Sequence, residues 1–309
     1  MPGAHKRVVG VSLGSSHRDH RAEWELLGQR VVVERRGSDG DLERARAWIR
    51  ELDGQVDAIG LGGIDRWVVL DGVRYELRDG ADLARQAQRT PVVDGSGIKD
   101  TWERWVVEDL HRRGRITPSQ PVLMVSALDR FGMAEAFYRL GYSVVAGDLL
   151  FVAGIDYPIE SRAELVKIGR ELLPQYVSRP AAELYPVGDA QRRPPDVRYA
   201  RYFAEAAVVA GDFHLIRRFW PERLDGKGIL TNTTTAEDLK AMQARGVAWV
   251  ATTTPQLGGR TFGTNLLEAA LVAVLGITAE DPAWAERVRT VPLHYEWLWL
   301  GETRSDHDA

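Results

Sequence analysis

Short apolar runs and longer stretches with helical periodicity alternate along most of the chain. The apolar runs predict strands at 7–12, 30–34, 56–61, 90–93, 122–125, 143–146, 207–211, 228–231 and 247–251. Apolar positions three or four residues apart predict helices at 41–52, 79–88, 101–111, 161–173, 235–245 and 264–275. Residues 66–77, around Asp71-Gly72, predict a hairpin. Strands that alternate with helices are typical of an α/β fold with largely parallel strands.

The polar stretch 112–120, with Gly114 and Pro118, predicts a link between two domains. We therefore expect an N-terminal α/β domain at 1–115 and a C-terminal α/β domain at 116–309, because 309 residues are ample for two domains. A proline-rich region near 150–200 predicts an irregular insert with short helices. The polar tail from residue 301 is expected to fray.

Composition excludes several classes of function. The chain has 40 basic and 44 acidic residues, so its overall charge indicates neither a nucleic-acid nor a membrane partner. It has no cysteine, which excludes disulfides, thiolate zinc sites and cysteine nucleophiles. The seven histidines are scattered, so no metal site is predicted. The N-terminal apolar run is too short for a signal peptide, and we expect a cytoplasmic protein.

Residues 122–148 have the layout of a dinucleotide-binding unit: a strand, a turn, a helix and a second strand that ends at Asp148. Ser126 and Leu128 stand where the usual first two glycines would be, and Gly132 could allow close helix–strand packing. Asp148 has the spacing of an acid that binds ribose hydroxyls, which favours NAD over NADP. The residues predicted to hold NAD here are Ser126, Asp129, Arg130, Gly132 and Asp148. The alternative is a structural crossover in which Asp148 merely ends a strand.

Three further strands of the second half end in polar residues. Ligands of parallel sheets gather at the carboxyl ends of the strands, so these residues are also predicted to contact the cofactor. They are Asp212, His214, Thr231, Asn232, Thr233 and Thr254. One threonine of 231–235 is expected to cap the helix that begins near Ala236. The alternative for His214 is a loop histidine bonded to backbone.

Polar residues also follow strands in the first half. Hydroxyls clustered after a strand suit a polyol or carboxylate ligand or, alternatively, cap a helix; they belong to Ser12, Ser15 and Ser16. Asp65 follows the strand at 56–61. Asp94 ends another strand, with Lys99 about one helical turn further on. A carboxylate and an ammonium in one cleft can divide acid–base work, so Lys99, Asp94 and Asp65 are the predicted catalytic residues, with a surface ion pair as the alternative.

Four segments together resemble the quinate/shikimate 5-dehydrogenase family: GVSLGSS, VDGSGI, TNTTTAEDLKAMQARG and FGTNLLEAALVAVLG. The resemblance implies an N-terminal substrate domain followed by a Rossmann-like, doubly wound, parallel-sheet domain that binds NAD(P). It further implies that the early serines hold a substrate carboxylate and that Asp94 contacts substrate hydroxyls. Asn265 is the nearest match to a glutamine that the family's closing helix contributes to the substrate.

The resemblance implies an NAD-dependent oxidoreductase that transfers a hydride between the nicotinamide and a hydroxylated cyclic carboxylate. Where that family has its catalytic lysine, this chain reads GLGGIDRW. Either Lys99 or Asp65 then moves the proton, or the reaction is a different one. Two alternatives remain: a non-catalytic nucleotide- or metabolite-binding regulatory protein, and a non-redox enzyme that uses the same crevice. A homodimer is a base-rate expectation for a soluble enzyme.

Overall fold

Two sheets built mainly from parallel strands organise the chain, and each has helices packed on both faces. The computed structural model describes residues 5–180, 195–257 and 260–301. The first half contains, in chain order, β1 (Lys6–Ser12), β2 (His20–Leu26), β3 (Gln29–Gly37), α1 (Leu42–Leu52), β4 (Ala58–Gly62), β5 (Trp67–Leu70), β6 (Val73–Glu76), α2 (Arg78–Ala84) and β7 (Val92–Val93).

The remaining elements follow a connecting pair of helices. They are α3 (Ser96–Asp100), α4 (Trp102–Arg112), β8 (Val122–Met124), α5 (Phe131–Arg139), β9 (Val144–Ala146), α6 (Arg162–Tyr176), α7 (Ala200–Glu205), β10 (Val208–Ala210), α8 (Phe213–Phe219), β11 (Gly228–Thr231), α9 (Ala236–Ala244), β12 (Trp249–Thr252), β13 (Gln256–Leu257), β14 (Arg260–Thr261), α10 (Thr264–Leu275), α11 (Trp284–Arg289) and β15 (Glu296–Trp299). Short 3₁₀ turns lie at Ser16–Arg18 and Val197–Tyr199, and one π-helical turn lies at Asp148–Val152.

The first sheet has the strand order β2-β3-β1-β4-β7. All of its neighbouring strands are parallel except β2, which pairs antiparallel with β3 at one edge. One face is covered by α1 and α2. The other face is covered by α10, a helix that comes late in the chain and returns to this sheet. Gly60 on β4 permits that approach, because a Cβ added there would lie 2.8 Å from the carbonyl oxygen of Asn265.

The second sheet has the strand order β15-β12-β11-β10-β8-β9. Only β15 is antiparallel, at the edge beside β12. Alternate residues of each strand enter two separate cores, as a strand buried on both faces requires. Val122 and Met124 pack with α4, α5 and α6, whereas Leu123 and Val125 pack with α7, α8 and α9.

The predicted α/β architecture with parallel sheets and two sheet-bearing halves is confirmed. The predicted hairpin is also confirmed as β5 and β6, which are joined through Asp71 and Gly72 in left-handed conformations. Strand β2 was missed because its alternating sequence, HRAEWEL, lies mostly half-exposed at a sheet edge. The helix predicted at 101–111 is confirmed as α4, and the short α3 that precedes it, beginning directly after the left-handed Gly95, was not predicted. Helix α8 was not predicted.

The division at residue 115 stays a prediction. The expected fraying beyond residue 301 lies outside the described residues, as does the part of the expected insert at 181–194. The described part of that insert contains α6, which runs to Tyr176, three residues further than predicted.

Within the described residues, no helix is both long and apolar enough to cross a membrane.

Candidate functional site

A single lysine joins the edges of the two sheets. Lys99, on α3, is only 6% exposed. Its Nζ donates to Asp65 Oδ1 at 2.7 Å and to Asp129 Oδ1 at 2.6 Å. Asp65 follows β4 of the first sheet, and Asp129 follows β8 of the second. Strand ends that are far apart in sequence therefore meet at one buried ammonium group.

Asp94 is not the partner of Lys99, so that predicted pairing is wrong. The Asp94 carboxylate accepts hydrogen bonds from the backbone N–H groups of Arg66 and Trp67, both at 2.7 Å. It also accepts from the N–H of Ser96 at 3.0 Å and from the Ser96 hydroxyl at 2.7 Å. A carboxylate has about four acceptor positions, so these bonds occupy Asp94 fully. Its contacts fix the start of β5 and of α3.

The charges around Lys99 are strongly perturbed. Burial raises the pKa of Asp65 to about 7, and the nearby carboxylates of Asp129 and Asp94 raise it further. These effects outweigh the attraction of Lys99, which lowers the pKa. Burial alone would lower the pKa of Lys99, but the carboxylates of Asp129 and Asp65 raise it above its ordinary value. A general base has to be deprotonated near neutral pH. The structure holds Lys99 as a cation, which does not suit the predicted role in proton abstraction.

Arg130 was predicted to contact a cofactor phosphate, but the structure buries it in ion pairs. Its Nη1 is bonded to Glu103 on α4, and its Nη2 lies 3.4 Å from Asp212 Oδ2. The Thr253 hydroxyl also donates to Glu103 Oε1 at 3.1 Å. The sequence analysis missed Glu103. A signal was present, because Glu103 shares a helical face with the apolar Val106, Val107 and Leu110.

Asp148 was predicted to bind the ribose of NAD, and this prediction is wrong. Its carboxylate accepts from the backbone N–H groups of Ala127 at 3.0 Å and Leu128 at 2.9 Å. Those N–H groups, in the turn before α5, are the donors that a pyrophosphate would need. Burial raises the pKa of Asp148 to about 6 despite these two bonds. The alternative of a structural crossover closed by Asp148 fits the geometry.

Gly132 also serves a different purpose from the predicted one. A Cβ added to Gly132 would overlap the carbonyl oxygen of Lys99 and lie 2.8 Å from Asp100 Cα. The glycine therefore permits close packing of α5 against α3, not of a helix against a strand. This packing ties the helix that carries Lys99 to the second half.

Asp212 and His214 lie at the start of α8. Asp212 caps this helix by accepting from the N–H of His214 at 2.9 Å, and it also accepts from Asn232 Nδ2 at 3.1 Å. Burial opposes ionisation of Asp212, but His214 and Arg130 lower its pKa to about 2. The His214 ring contacts Arg18 of the first half. Burial, assisted by Arg18, lowers the pKa of His214 to about 4, so the ring is neutral at pH 7.

The threonines predicted as cofactor ligands use their hydroxyl groups to hold the loops together. Thr231 donates to the carbonyl of Gly211 at 2.8 Å, Thr254 to that of Asn232 at 2.6 Å, and Thr233 to that of Thr261 at 3.0 Å. The predicted threonine cap is confirmed at Thr235, which forms a capping box with Asp238 at the start of α9.

The early serines are separated by the structure. Ser12 is buried and accepts from the N–H of Gly14 at 3.1 Å and from Arg35 Nη2 at 2.9 Å. Ser15 caps the short 3₁₀ turn, as the alternative interpretation held, and Ser16 is exposed. Asn265 approaches Ser12 across Gly62, where an added Cβ would lie 3.0 Å from Ser12 Oγ and 3.2 Å from Asn265 Nδ2.

Glu268 is a second buried acid that the sequence analysis missed. It lies on α10 and accepts from the N–H groups of Gly97 at 2.8 Å and Ile98 at 3.3 Å. Burial raises its pKa to about 8, and the nearby Asp94 carboxylate contributes. The signal in the sequence is one acid within the otherwise apolar run LLEAALVAVL.

The recess around Lys99 is closed. It is lined by Trp67 and Val69 of β5, by Ser96, Lys99 and Asp100 of α3, and by Asp129, Phe131 and Gly132. The space between them is too tight to admit a water molecule. Across the described ranges, no three His, Asp or Glu side chains are grouped so that they could hold a metal ion.

Several solved structures share a distant likeness with the chain. They include a galactofuranose binding protein (13% identity, 92% of this chain and 97% of that chain covered, TM-score 0.33). Another is a glucose-galactose binding protein from Geobacillus stearothermophilus (10% identity, 98% of this chain and 100% of that chain covered, TM-score 0.36). A third is the periplasmic binding protein component of the arabinose ABC transporter from Shewanella sp. ANA-3 (11% identity, 89% of this chain and 87% of that chain covered, TM-score 0.33). By itself this likeness assigns neither fold nor ligand. No curated protein shows significant similarity to the sequence.

The predicted membership of the quinate/shikimate 5-dehydrogenase family is wrong, as are the oxidoreductase activity, the dehydrogenase class and the NAD cofactor. The three structures described above are each described as sugar-binding, and none of the three is described as a dehydrogenase. The geometry gives the physical reason. Asp148 occupies the N–H groups that a pyrophosphate would need, and Arg130 is committed to Glu103 and Asp212.

Two family models match the sequence in succession. Residues 7–94 match a Domain of unknown function (DUF8753), and residues 97–291 match a Domain of unknown function (DUF8754). The first match ends two residues before α3, the helix that carries Lys99, and the second begins at the second residue of that helix. The second match covers more than half of the 309 residues, and the chain therefore belongs to the family described as Domain of unknown function (DUF8754).

Proposed function

We propose that the chain is a non-catalytic, two-lobed binding protein that closes on a small hydroxyl-rich molecule between the carboxyl edges of its two sheets. The observation that carries this proposal is the buried bridge from Lys99 to Asp65 and Asp129, one carboxylate from each half. A ligand whose hydroxyl groups replace these bonds would keep both halves joined while it is bound. Carboxylates and ammonium groups supply the acceptors and donors that hydroxyl groups need.

The balance of charge at the two edges favours a neutral ligand. The ion pairs there join two cations, Lys99 and Arg130, to four carboxylates, those of Asp65, Asp129, Glu103 and Asp212. An acidic surplus in a poorly hydrated site repels phosphate and carboxylate groups. A sugar or another neutral polyol carries no such penalty, whereas the predicted polyol carboxylate does.

The strand order of the second sheet supports the same location. Strand β8 lies between β9, which follows it in the chain, and β10, so the direction of winding reverses beside β8. As part of this proposal we take this half to be a doubly wound, Rossmann-like domain, because helices cover both faces of its sheet. In such sheets ligands bind outside the carboxyl ends of the strands at the reversal point. Asp129 and Asp212 lie there.

Entry of a ligand requires the halves to separate, since the recess is closed. The β5–β6 hairpin of the first half is fastened to α6 of the second by Asp71, which accepts from Arg162 and Arg170, both at 2.7 Å. These side chains are partly exposed, and exposed ion pairs contribute only about 0–1 kcal/mol each. Val68, Leu70 and Leu77 are also buried in the core that α4, α5 and α6 form with the second sheet, so separation of the halves has to expose these three side chains. The cytoplasmic location and the homodimer stay predictions.

The test is a titration of the full-length chain with ribose, arabinose, galactose, glucose and myo-inositol, each followed by thermal shift and calorimetry. NAD, quinate and inorganic phosphate are run in parallel. We expect at least one neutral polyol to raise the melting temperature, because ligands that bind only the native state stabilise it. If none does at millimolar concentration, or if only the anionic compounds bind, the proposal is wrong.

Two substitutions connect any binding to the bridge. Lys99→Met removes the ammonium, and Asp129→Asn removes one carboxylate while keeping similar shape and polarity. Each is expected to weaken polyol binding by about tenfold or more, which corresponds to about 1.4 kcal/mol. Lys167→Met, at an exposed position on α6, is the matched control and should bind like the wild type. Unchanged affinity in Asp129→Asn would place the ligand elsewhere.

A further inference from the structure

Three buried side chains near the end of β8 each keep one polar atom without a hydrogen-bond partner among the described residues. The atoms are Ser126 Oγ, Arg130 Nε and Glu103 Oε2. Ser126 is 5% exposed, Arg130 is 2% exposed and Glu103 is fully buried. A buried polar atom left without a partner destabilises the folded state, and nearly all buried polar atoms in folded proteins have a partner. Three in one region indicate that a polar group belongs there.

Contacts link these side chains at one place in the second half. Arg130 is bonded to Glu103 through Nη1 and approaches Asp212 through Nη2. Ser126 Oγ lies 3.5 Å from the position that a Cβ on Gly211 would take, and Gly211 directly precedes Asp212. Ser126 follows β8, and Asp212 follows β10. The unpartnered atoms therefore border the carboxyl ends of the two strands where the winding of the second sheet reverses.

Gly211, next to Ser126, stands at a position that does not accept a side chain. Its φ of +128° is strongly unfavourable for a residue with a Cβ. A Cβ there would also lie 2.7 Å from Val125 Cγ2. The hydroxyl of Ser126 therefore lies beside backbone and not beside another side chain at this point.

The three atoms without hydrogen bonds have the chemistry of a hydroxyl site, with Arg130 Nε also 3.7 Å from Asp129 Oδ2. Arg130 Nε–H is a donor, Glu103 Oε2 is an acceptor, and the Ser126 hydroxyl can be either. A ligand hydroxyl both donates and accepts, so it can satisfy the arginine and the glutamate together. A fully ionised phosphate only accepts, and it would meet the charges of Glu103 and Asp212.

We infer that Ser126, Arg130 and Glu103 form a second subsite that receives one hydroxyl of the ligand, apart from the hydroxyls that replace the Lys99 bridge. This inference rests on the proposed binding function. It narrows the ligand to a neutral molecule with hydroxyl groups at both ends, such as a sugar, and makes Ser126 a residue that determines specificity.

The experiment uses whichever sugar of the panel binds the wild-type chain, together with its monodeoxy analogues. Ser126→Ala removes the free hydroxyl, and Ser119→Ala, at an exposed position, is the matched control. We expect Ser126→Ala to melt at or above the wild-type temperature, because it removes a buried polar atom that lacks a partner. We also expect it to bind the parent sugar about tenfold more weakly.

The analogues distinguish a direct contact from a folding defect. One deoxy sugar should bind the wild type more weakly than its parent but bind Ser126→Ala as well as the parent does, which is the coupling expected of two groups in contact. If Ser126→Ala binds every sugar like the wild type, or loses the same factor for all of them, the inference is wrong and these atoms hold only water. If no sugar binds the wild-type chain, the proposed function itself fails.

Discussion

The carboxyl edges of the two sheets carry similar residue types but differ in how far their hydrogen-bonding capacity is used. At the first edge, Asp94 accepts from Arg66, Trp67 and Ser96, and Ser12 accepts from Gly14 and Arg35. At the first edge one buried hydroxyl, that of Ser38 after β3, lacks a hydrogen-bond partner among the described residues, whereas at the second edge Ser126, Arg130 and Glu103 each keep such an atom. A polar residue at a strand end is therefore a ligand candidate only if its neighbours leave it unsatisfied.

The two edges are also closed in different ways. Helix α10 covers the first edge with its own backbone, since Asn265 lies against Gly60 and against the left-handed Gly95. The second edge is closed by ion pairs and by the Lys99 bridge. Backbone packing over glycines is permanent in the folded state, whereas ion pairs can exchange for ligand bonds. The second edge is the one expected to open.

The largest effect should come from breaking the ion pair at the second edge. Glu103→Ala leaves the Arg130 guanidinium buried with only the partly exposed Asp212 and Asp129 nearby. Removing one partner of a buried pair costs about 3–5 kcal/mol. We expect the free energy of unfolding, measured by urea denaturation, to fall by that amount. Glu108→Ala on the same helix is the control, and equal losses in both variants would contradict the assigned role of the pair.

A smaller loss of stability is expected from Gly211→Ala. The new side chain meets both an unfavourable φ and Val125, which together should cost about 1–3 kcal/mol. Gly28→Ala is the matched control in the first half, because Gly28 has a φ of +71° but open space around it. Gly211→Ala should also weaken sugar binding, whereas Gly28→Ala should not. If Gly211→Ala is as stable as the control, the space between Gly211 and Val125 is large enough for a methyl group, and the prediction is wrong.

The last effect depends on pH and belongs to the first edge. The folded chain raises the pKa of Glu268 to about 8, above its unfolded value near 4.5. The folded state therefore binds an extra proton between these values, and the stability it contributes is full below about pH 4 and is lost as pH rises through 8. Glu268→Gln stays neutral, so its melting temperature should fall less than that of the wild type between pH 5 and pH 9. If the melting temperatures of the two chains change equally between pH 5 and pH 9, the pKa of Glu268 is not raised.

The sequence predicted the fold more successfully than it predicted the site. The strands at 7–12, 56–61 and 228–231 were found because buried parallel strands are short, continuous apolar runs. The capping threonine at 235 and the Asp71-Gly72 hairpin turn were found because both are local features. Strand β2 and helix α8 were missed, since one lies half-exposed at an edge and the other has only seven residues.

The charged residues between the two sheets could also be predicted, because the residues that follow parallel strands collect at one edge of a sheet. The sequence singled out Asp65, Lys99, Asp129 and Asp212, and the structure brings all four into one charged cluster. Their partners could not be predicted. Lys99 binds Asp65 and Asp129 in place of Asp94, since hydrogen bonds from Arg66, Trp67 and Ser96 already saturate Asp94.

The sequence by itself determined the alternation of strands and helices, the two sheet-bearing halves and the positions of polar residues at strand ends. All of these follow from local periodicity and turn chemistry. Only the tertiary structure decided that Asp148 fills the turn that a pyrophosphate would need, that Glu103 holds Arg130, and that Ser126 keeps a free hydroxyl. The physical reason is that a side chain's function depends on which donors and acceptors surround it, and these come from distant segments, as with Glu103 and Thr253, which are 150 residues apart.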